Sequence, residues 1–361
     1  MNKHVVILLS LFLCACGGGG SMNSQPQTAF PQATEQDISG FTEVSTRVIH
    51  LTQQAGGAPV FGEGGAQGSV MSSYTSGLAE VSSFNTSFDG ERFVLELNRQ
   101  DNSSSIVDTE TASYAVGVNL TPEQNLLSNR DAVQGHALST TGSAQTVIGT
   151  FIEWEDNDFT NYLAGGYWIH ADPATSGVEF GAFVDGPEYD QVITVPASGR
   201  ATYTGRSAGF FMGTYGVGTP YPEGTIEAGE FQGVFTMFAD FDTGMVSGQV
   251  RDVDFTYKSL LFPGAQAQED RVTTRTGYSL DMAATPFNSA GQFFGNDITL
   301  SHEFISFVEA GGSWAGRFSE VDDANGFPRA VAGVHRGFGR TARGSTALFV
   351  GAHYGATEQY E

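Results

Sequence analysis

Phe235-Thr-Met-Phe-Ala-Asp-Phe-Asp-Thr-Gly-Met-Val-Ser-Gly-Gln-Val250 is the stretch that decides the fold. Phe235 and Met237 recur at every second position, the period of a strand with one buried face. Asp242-Thr-Gly244 breaks the run with turn chemistry, and alternation resumes after it. The stretch reads as strand, tight turn, strand.

The same texture extends in both directions. Strand-like runs precede it at 201–205 and 209–215, and they continue at 254–261, 271–282, 291–294, 298–308, 313–318, 330–335 and 347–354. Ala310-Gly-Gly312 and Asn325-Gly326 read as turns between them. The first half carries Phe93-Val-Leu-Glu-Leu-Asn98, Tyr114-Ala-Val-Gly-Val118, a β-rich run over 146–154, and aromatic runs over 162–170 and 180–184. One short helix is predicted at 121–130, with Pro122 at its first turn. The chain has 47 glycines and 28 phenylalanines. That pairing suits small curved sheets, with rings inside and glycines where strands bend. The expectation is an all-β chain whose many short strands form a barrel or sandwich.

The amino terminus reads differently. Val5 to Leu13 is apolar apart from Ser10, and Lys3 and His4 precede it. A bilayer span needs about 20 apolar residues, so the run predicts the core of an export signal. It ends in Leu13-Cys14-Ala15-Cys16, which resembles the lipobox of bacterial lipoproteins. That resemblance implies cleavage before Cys16 and acylation of Cys16, with Gly17 directing the chain to the outer membrane. Residues 17–36 are rich in Gly, Ser, Gln, Pro and Thr and read as a tether spanning roughly 25 Å as a flexible coil. The chain's two cysteines are Cys14 and Cys16, so the segment after the signal must be stabilised by its core without disulfides.

Forty acidic residues against 16 basic ones give a formal net charge of −24. A nucleic-acid partner, which requires a basic footprint, is excluded. A solvated acidic surface or a cationic partner fits.

Four segments carry a family resemblance. Pro196-Ala-Ser-Gly-Arg-Ala-Thr-Tyr-Thr-Gly205 looks like the opening of a transferrin-binding protein B type barrel, and 235–250 resembles its next hairpin. Asn161-Tyr-Leu-Ala-Gly-Gly-Tyr-Trp168 is similar to a strand of that family's handle. Ala347-Leu-Phe-Val-Gly-Ala-His-Tyr-Gly-Ala356 resembles its closing strand, with His353-Tyr354 in place of a phenylalanine. The region 318–333 departs from the family's closing hairpin. The resemblance covers about residues 140–361, a single lobe. It implies a handle antiparallel sheet packed beside an eight-stranded antiparallel β-barrel, displayed on the cell surface by an outer-membrane lipoprotein translocon. The organisation that follows is signal 1–15, lipidated cysteine and tether 16–36, handle 37–195 and barrel 196–361. Members of the family and its relatives bind an iron-carrier protein, complement factor H or haem.

Catalytic signatures are sparse. His302-Glu303 begins like a zinc-protease motif, but Ser306 stands where the second histidine belongs, so a strand start is expected. Gly312-Ser313-Trp314 lacks the spacing of a nucleophile elbow. Glu153, Glu155, Asp156 and Asp158 around Trp154 lack calcium-loop spacing and read as a solvated loop, and Asp240 and Asp242 read as turn residues. Haem needs an axial ligand and an apolar slot. His170 beside Tyr167 and Trp168 is the first candidate and His136 the second. Tyr221, in Gly218-Thr-Pro-Tyr-Pro-Glu-Gly224, is a candidate contact on a rigid loop. The sequence thus predicts a non-catalytic lipoprotein without a resident cofactor, binding a solute or host protein. The alternatives are an acidic structural or protective envelope protein and a hydrolase using surface carboxylates.

Overall fold

The computed structural model describes nine strands between residues 47 and 185, and then residues 193–220, 226–257, 271–320 and 322–357. No helix occurs among them; the helix predicted at 121–130 lies outside the described residues, as do Cys16 and the tether. Every ladder between named strands is antiparallel.

The first nine strands are β1 (Arg47–Thr52), β2 (Val60–Gly64), β3 (Glu80–Phe88), β4 (Arg92–Gln100), β5 (Ile106–Ala115), β6 (Ala132–Thr141), β7 (Ala144–Glu155), β8 (Asp158–Asp172) and β9 (Gly177–Asp185). They form a six-stranded sheet of order β2-β1-β9-β8-β7-β6 and a separate three-stranded sheet β3-β4-β5. The remaining ten are β10 (Arg200–Thr214), β11 (Ile226–Asp240), β12 (Met245–Tyr257), β13 (Arg271–Thr273), β14 (Tyr278–Pro286), β15 (Gln292–Gly295), β16 (Ile298–His302), β17 (Phe307–Phe318), β18 (Ala330–Thr341) and β19 (Thr346–Thr357). These make one large sheet of order β15-β17-β18-β19-β10-β11-β12-β14-β16, with β13 beside β12.

The hydrogen-bonded path is open, running from β15 to β16, so the expected eight-stranded barrel is not reached as an unbroken ring of ladders. The two ends nevertheless lie close. β16 packs along β17, and Asp297 and Gly312 form an isolated parallel bridge there.

The founding hairpin forms as read. Asp240 pairs with Met245, and Gly244 takes a positive φ of 68°. The Asp240 carboxylate accepts the Thr243 amide at 3.1 Å, a local cap that fixes the turn. Tyr203, Phe231, Phe235, Met237 and Phe349 meet on the inner face with Val250, Phe293, Trp314 and Phe318. On β12 the inward parity changes from Val246 and Val250 to Val253 and Phe255. The cause is a bulge: Asp252 and Val253 together oppose Gly233, between the pairs Val234–Arg251 and Gln232–Asp254. Asp252 takes φ 51° there.

Strands β8 and β9 of the six-stranded sheet cover the outer face of β10, β18 and β19. Phe180 stacks on Phe210 with centroids 4.2 Å apart, and Phe151 meets Tyr354 at 5.3 Å. This cover explains why Gly209-Phe-Phe-Met212 is buried at four consecutive positions, where alternation alone would expose two.

Several expected boundaries move. The runs read at 201–205 and 209–215 are one strand, β10. The run at 298–308 is two strands, broken after His302. The run at 271–282 is also two, separated by a turn with positive φ at Arg275 and Gly277. Ala310-Gly-Gly312 is not a turn but the middle of β17. A Cβ on Gly312 would strike the Arg336 carbonyl, and one on Gly311 would meet the Phe338 ring. Those glycines let β17 approach its neighbours closely.

Candidate functional site

Two of the expected contact residues are committed to packing. Tyr167 and Trp168 lie on β8 and are 6% and 0% exposed. The Tyr167 hydroxyl donates to Glu230 Oε1 on β11 at 2.6 Å. Burial first, and then the neighbouring Glu230 charge, push the phenol well above its ordinary range, so it remains a donor. Trp168 lies against Gly181, where a Cβ would touch the indole. His170 follows on β8 and pairs in register with Thr146 and Glu179; His136 on β6 pairs with Gly149. Tyr221 lies outside the described residues. Glu155 and Asp158 pair at the β7–β8 connection. Among the described residues, no three His, Cys, Asp or Glu side chains are grouped to hold a metal ion. His302 is the last residue of β16 rather than the start of a strand.

A cluster not singled out from the sequence sits on the inner face of the large sheet. Ser207, His335 and His353, from β10, β18 and β19, are 0%, 1% and 0% exposed. Ser207 Oγ lies 3.3 Å from His335 Nε2, and His335 Nδ1 lies 3.3 Å from His353 Nδ1. Two facing nitrogens at that distance share one proton, so one ring donates and the other accepts. His353 stacks on Phe235 with centroids 4.3 Å apart, and its Nε2 has no hydrogen-bond partner. Burial lowers His335 to about 3. Burial, and then the His335 charge, hold His353 well below its ordinary value.

The order serine, histidine, second group is that of a nucleophile, a base and an orienter. The chemistry is not. A base held near 3 has little appetite for the serine proton, and a neutral histidine cannot stabilise the imidazolium that an aspartate would. All three groups are closed to solvent, so no substrate reaches them. The cluster is a buried polar knot in an apolar core, hydrogen-bonded at three of its four ring nitrogens. The sequence signal for it was parity alone: His353 stands four residues after inward Phe349.

The outward features are of two kinds. All hairpin connections at one end of the large sheet follow β10, β12, β16 and β18, while the chain enters β10 and leaves β19 at the other end. At the loop end, Val217 is 59% exposed and Phe304 and Val308 are each 64% exposed. The Val217 amide donates to the Arg343 carbonyl at 2.9 Å, tying two of these loops together. The second feature is an open groove of about 320 Å³ on the outer face of β11, β12, β14 and β16, bordered by Phe238, Ser247, Gln249, Asp281, Ala284 and Thr299.

No protein-family model matches this chain, and no curated protein matches it.

Proposed function

We propose that this chain is a non-catalytic lipoprotein, anchored to the outer membrane through Cys16 and displayed at the cell surface, that binds a solute or host protein through the loop end of its large sheet. The observation that carries the reading is a contrast in burial. The inner face is filled by aromatic rings and a sealed histidine pair, while Val217 and Phe304 stand exposed on the loops and Val308 at the start of β17. Large apolar side chains gathered on the loops of a rigid scaffold are the usual dress of a recognition surface.

In this reading the large sheet is an eight-stranded barrel. β15 and β16 act as one bent strand whose first part pairs with β17 and whose second part pairs with β14. The bridge at Asp297 and Gly312 supports that closure. The six-stranded sheet is the handle, docked through β8 and β9. The Leu13-Cys14-Ala15-Cys16 segment and the acidic, solvating composition support the surface address.

The test uses the full chain, purified in detergent and immobilised, and exposed to host fluids and to spent medium, with a parallel haem titration read at the Soret band. Specific retention that a V217S/F304S/V308S variant loses, with unchanged thermal unfolding, is the expected result. Equal retention by that variant, or none by either protein together with no Soret shift, overturns the reading.

A further inference from the structure

Phe238 is half exposed on a strand whose other outward positions include Gln232, Thr236 and Asp240. Nothing in folding calls for a large ring there, since the inward side of β11 already supplies Phe231, Phe235 and Met237 to the core. The ring also stands beside a dent. Phe238 pairs with Ser247 across the hairpin. Ser247 in turn faces a bulge, since Val246 pairs with Thr285 and Gly248 with Met282, leaving Ala283 and Ala284 both exposed. On its β12 and β14 side the ring therefore borders a serine, a glycine and two alanines, and the face is hollow where an ordinary sheet would be level.

Beyond Met282, the rest of the lining is polar: Gln249, Asp281 and Thr299. Gln249 and Asp281 are register partners on β12 and β14, and Thr299 pairs with Asp281 on β16. Asp281 accepts from the Arg251 guanidinium, which also donates to the Leu280 carbonyl at 3.3 Å, so its carboxylate is oriented and its charge partly balanced. An aromatic wall with a hydroxyl, an amide and a carboxylate at neighbouring register positions suits a ligand with an apolar ring face and equatorial hydroxyls. The volume of about 320 Å³ lies at the small end of the range of ~300–1,000 Å³ for ligand clefts. The groove is open to solvent rather than enclosed, which suits a residue within a chain better than a small buried molecule. The net charge of −24 disfavours a polyanion.

We propose that the groove on the outer face of β11, β12, β14 and β16 binds a neutral saccharide chain, one sugar ring stacking on Phe238 while its hydroxyls bond to Gln249, Asp281 and Thr299. This goes beyond the loop-end reading and involves a different surface. Phe238 lies near the β11–β12 turn, at the opposite end of the sheet from Val217, Phe304 and Val308.

The test is affinity electrophoresis of the full chain in detergent, through native gels containing dissolved galactomannan, xyloglucan, β-1,3-glucan or dextran, with alginate as the anionic control, alongside an array of neutral oligosaccharides. Retardation by at least one neutral polymer is expected, weakened about tenfold or more in F238A and retained in F238W. A283L fills the hollow while leaving the ring intact, and it too should abolish retardation. Both positions are exposed, so the near-ultraviolet circular dichroism of both variants should match the parent. Absence of binding to every neutral glycan, binding to alginate alone, or binding unchanged in both F238A and A283L overturns the proposal. The V217S/F304S/V308S protein should bind the polymer normally, so failure here and failure at the loop end are separable.

Discussion

The two buried histidines make a stability prediction with a definite sign. Both rings are neutral in the folded chain because burial opposes their charge. An unfolded histidine titrates near 6.5, whereas folded His335 titrates at about 3. Between those values the unfolded chain binds more protons, so stability is complete above about pH 6.5 and falls as the pH drops toward 3, by about 1.4 kcal/mol per pH unit per histidine. Urea midpoints measured from pH 8 to pH 4 should show this slope, and an H335F/H353F protein should show a shallower one. An unchanged slope in the double variant refutes the assignment. The inward parity of His353 was legible in the sequence from its spacing to Phe349. Its pairing with His335 and Ser207 was not, because Ser207 lies 128 residues before His335 and three strands have to be placed side by side first. Phe238 was legible in the same partial way. Its outward position follows from inward Phe235 and Met237, but the hollow beside it depends on a bulge in another strand.

At the scale of elements, β8 and β11 are joined by a buried polar contact. Tyr167 and Glu230 are both buried, and the phenol donates to the carboxylate at 2.6 Å. Y167F removes the donor without changing the packed ring and should destabilise the chain by about 1–3 kcal/mol. E230Q, which retains an acceptor without the charge, should cost less. Thermal unfolding of both variants checks the ranking, and equal stability of Y167F and parent rules out the joint as a structural contact. The strands themselves were largely legible, because period-two alternation and Asp-Thr-Gly or Asn-Gly turns are local signals. The failures were local too. Glycine was read as a bend or turn, but at Gly311 and Gly312 it is a flat surface for close approach. At Gly209, Gly351 and Gly316 it likewise leaves room for the rings of Phe231 and Phe293. The double burial of 209–212 was visible as a continuous apolar run, but the sheet that covers it had to be placed before the run made sense.

For the whole molecule, period-two alternation pointed to the all-β architecture that the strands show. Which surfaces are open was not legible, because exposure depends on where β8 and β9 lie. Tyr167 and Trp168 drew attention as aromatics beside a histidine, and their burial follows from that docking. One feature of the large sheet bears on how the chain matures. Its first strand, β10, pairs with its last, β19, along twelve register positions from Tyr203–Thr357 to Thr214–Thr346. Contacts so distant along the chain form late, and neither edge is satisfied until both strands are present. A polypeptide made from its amino terminus therefore cannot complete this sheet until its final dozen strand residues have been synthesised. Truncation after Arg343 should leave a protease-sensitive product, whereas the intact chain resists digestion. Until then β10 presents its full length as an edge without its partner, and whatever meets the chain during synthesis meets the sheet unclosed.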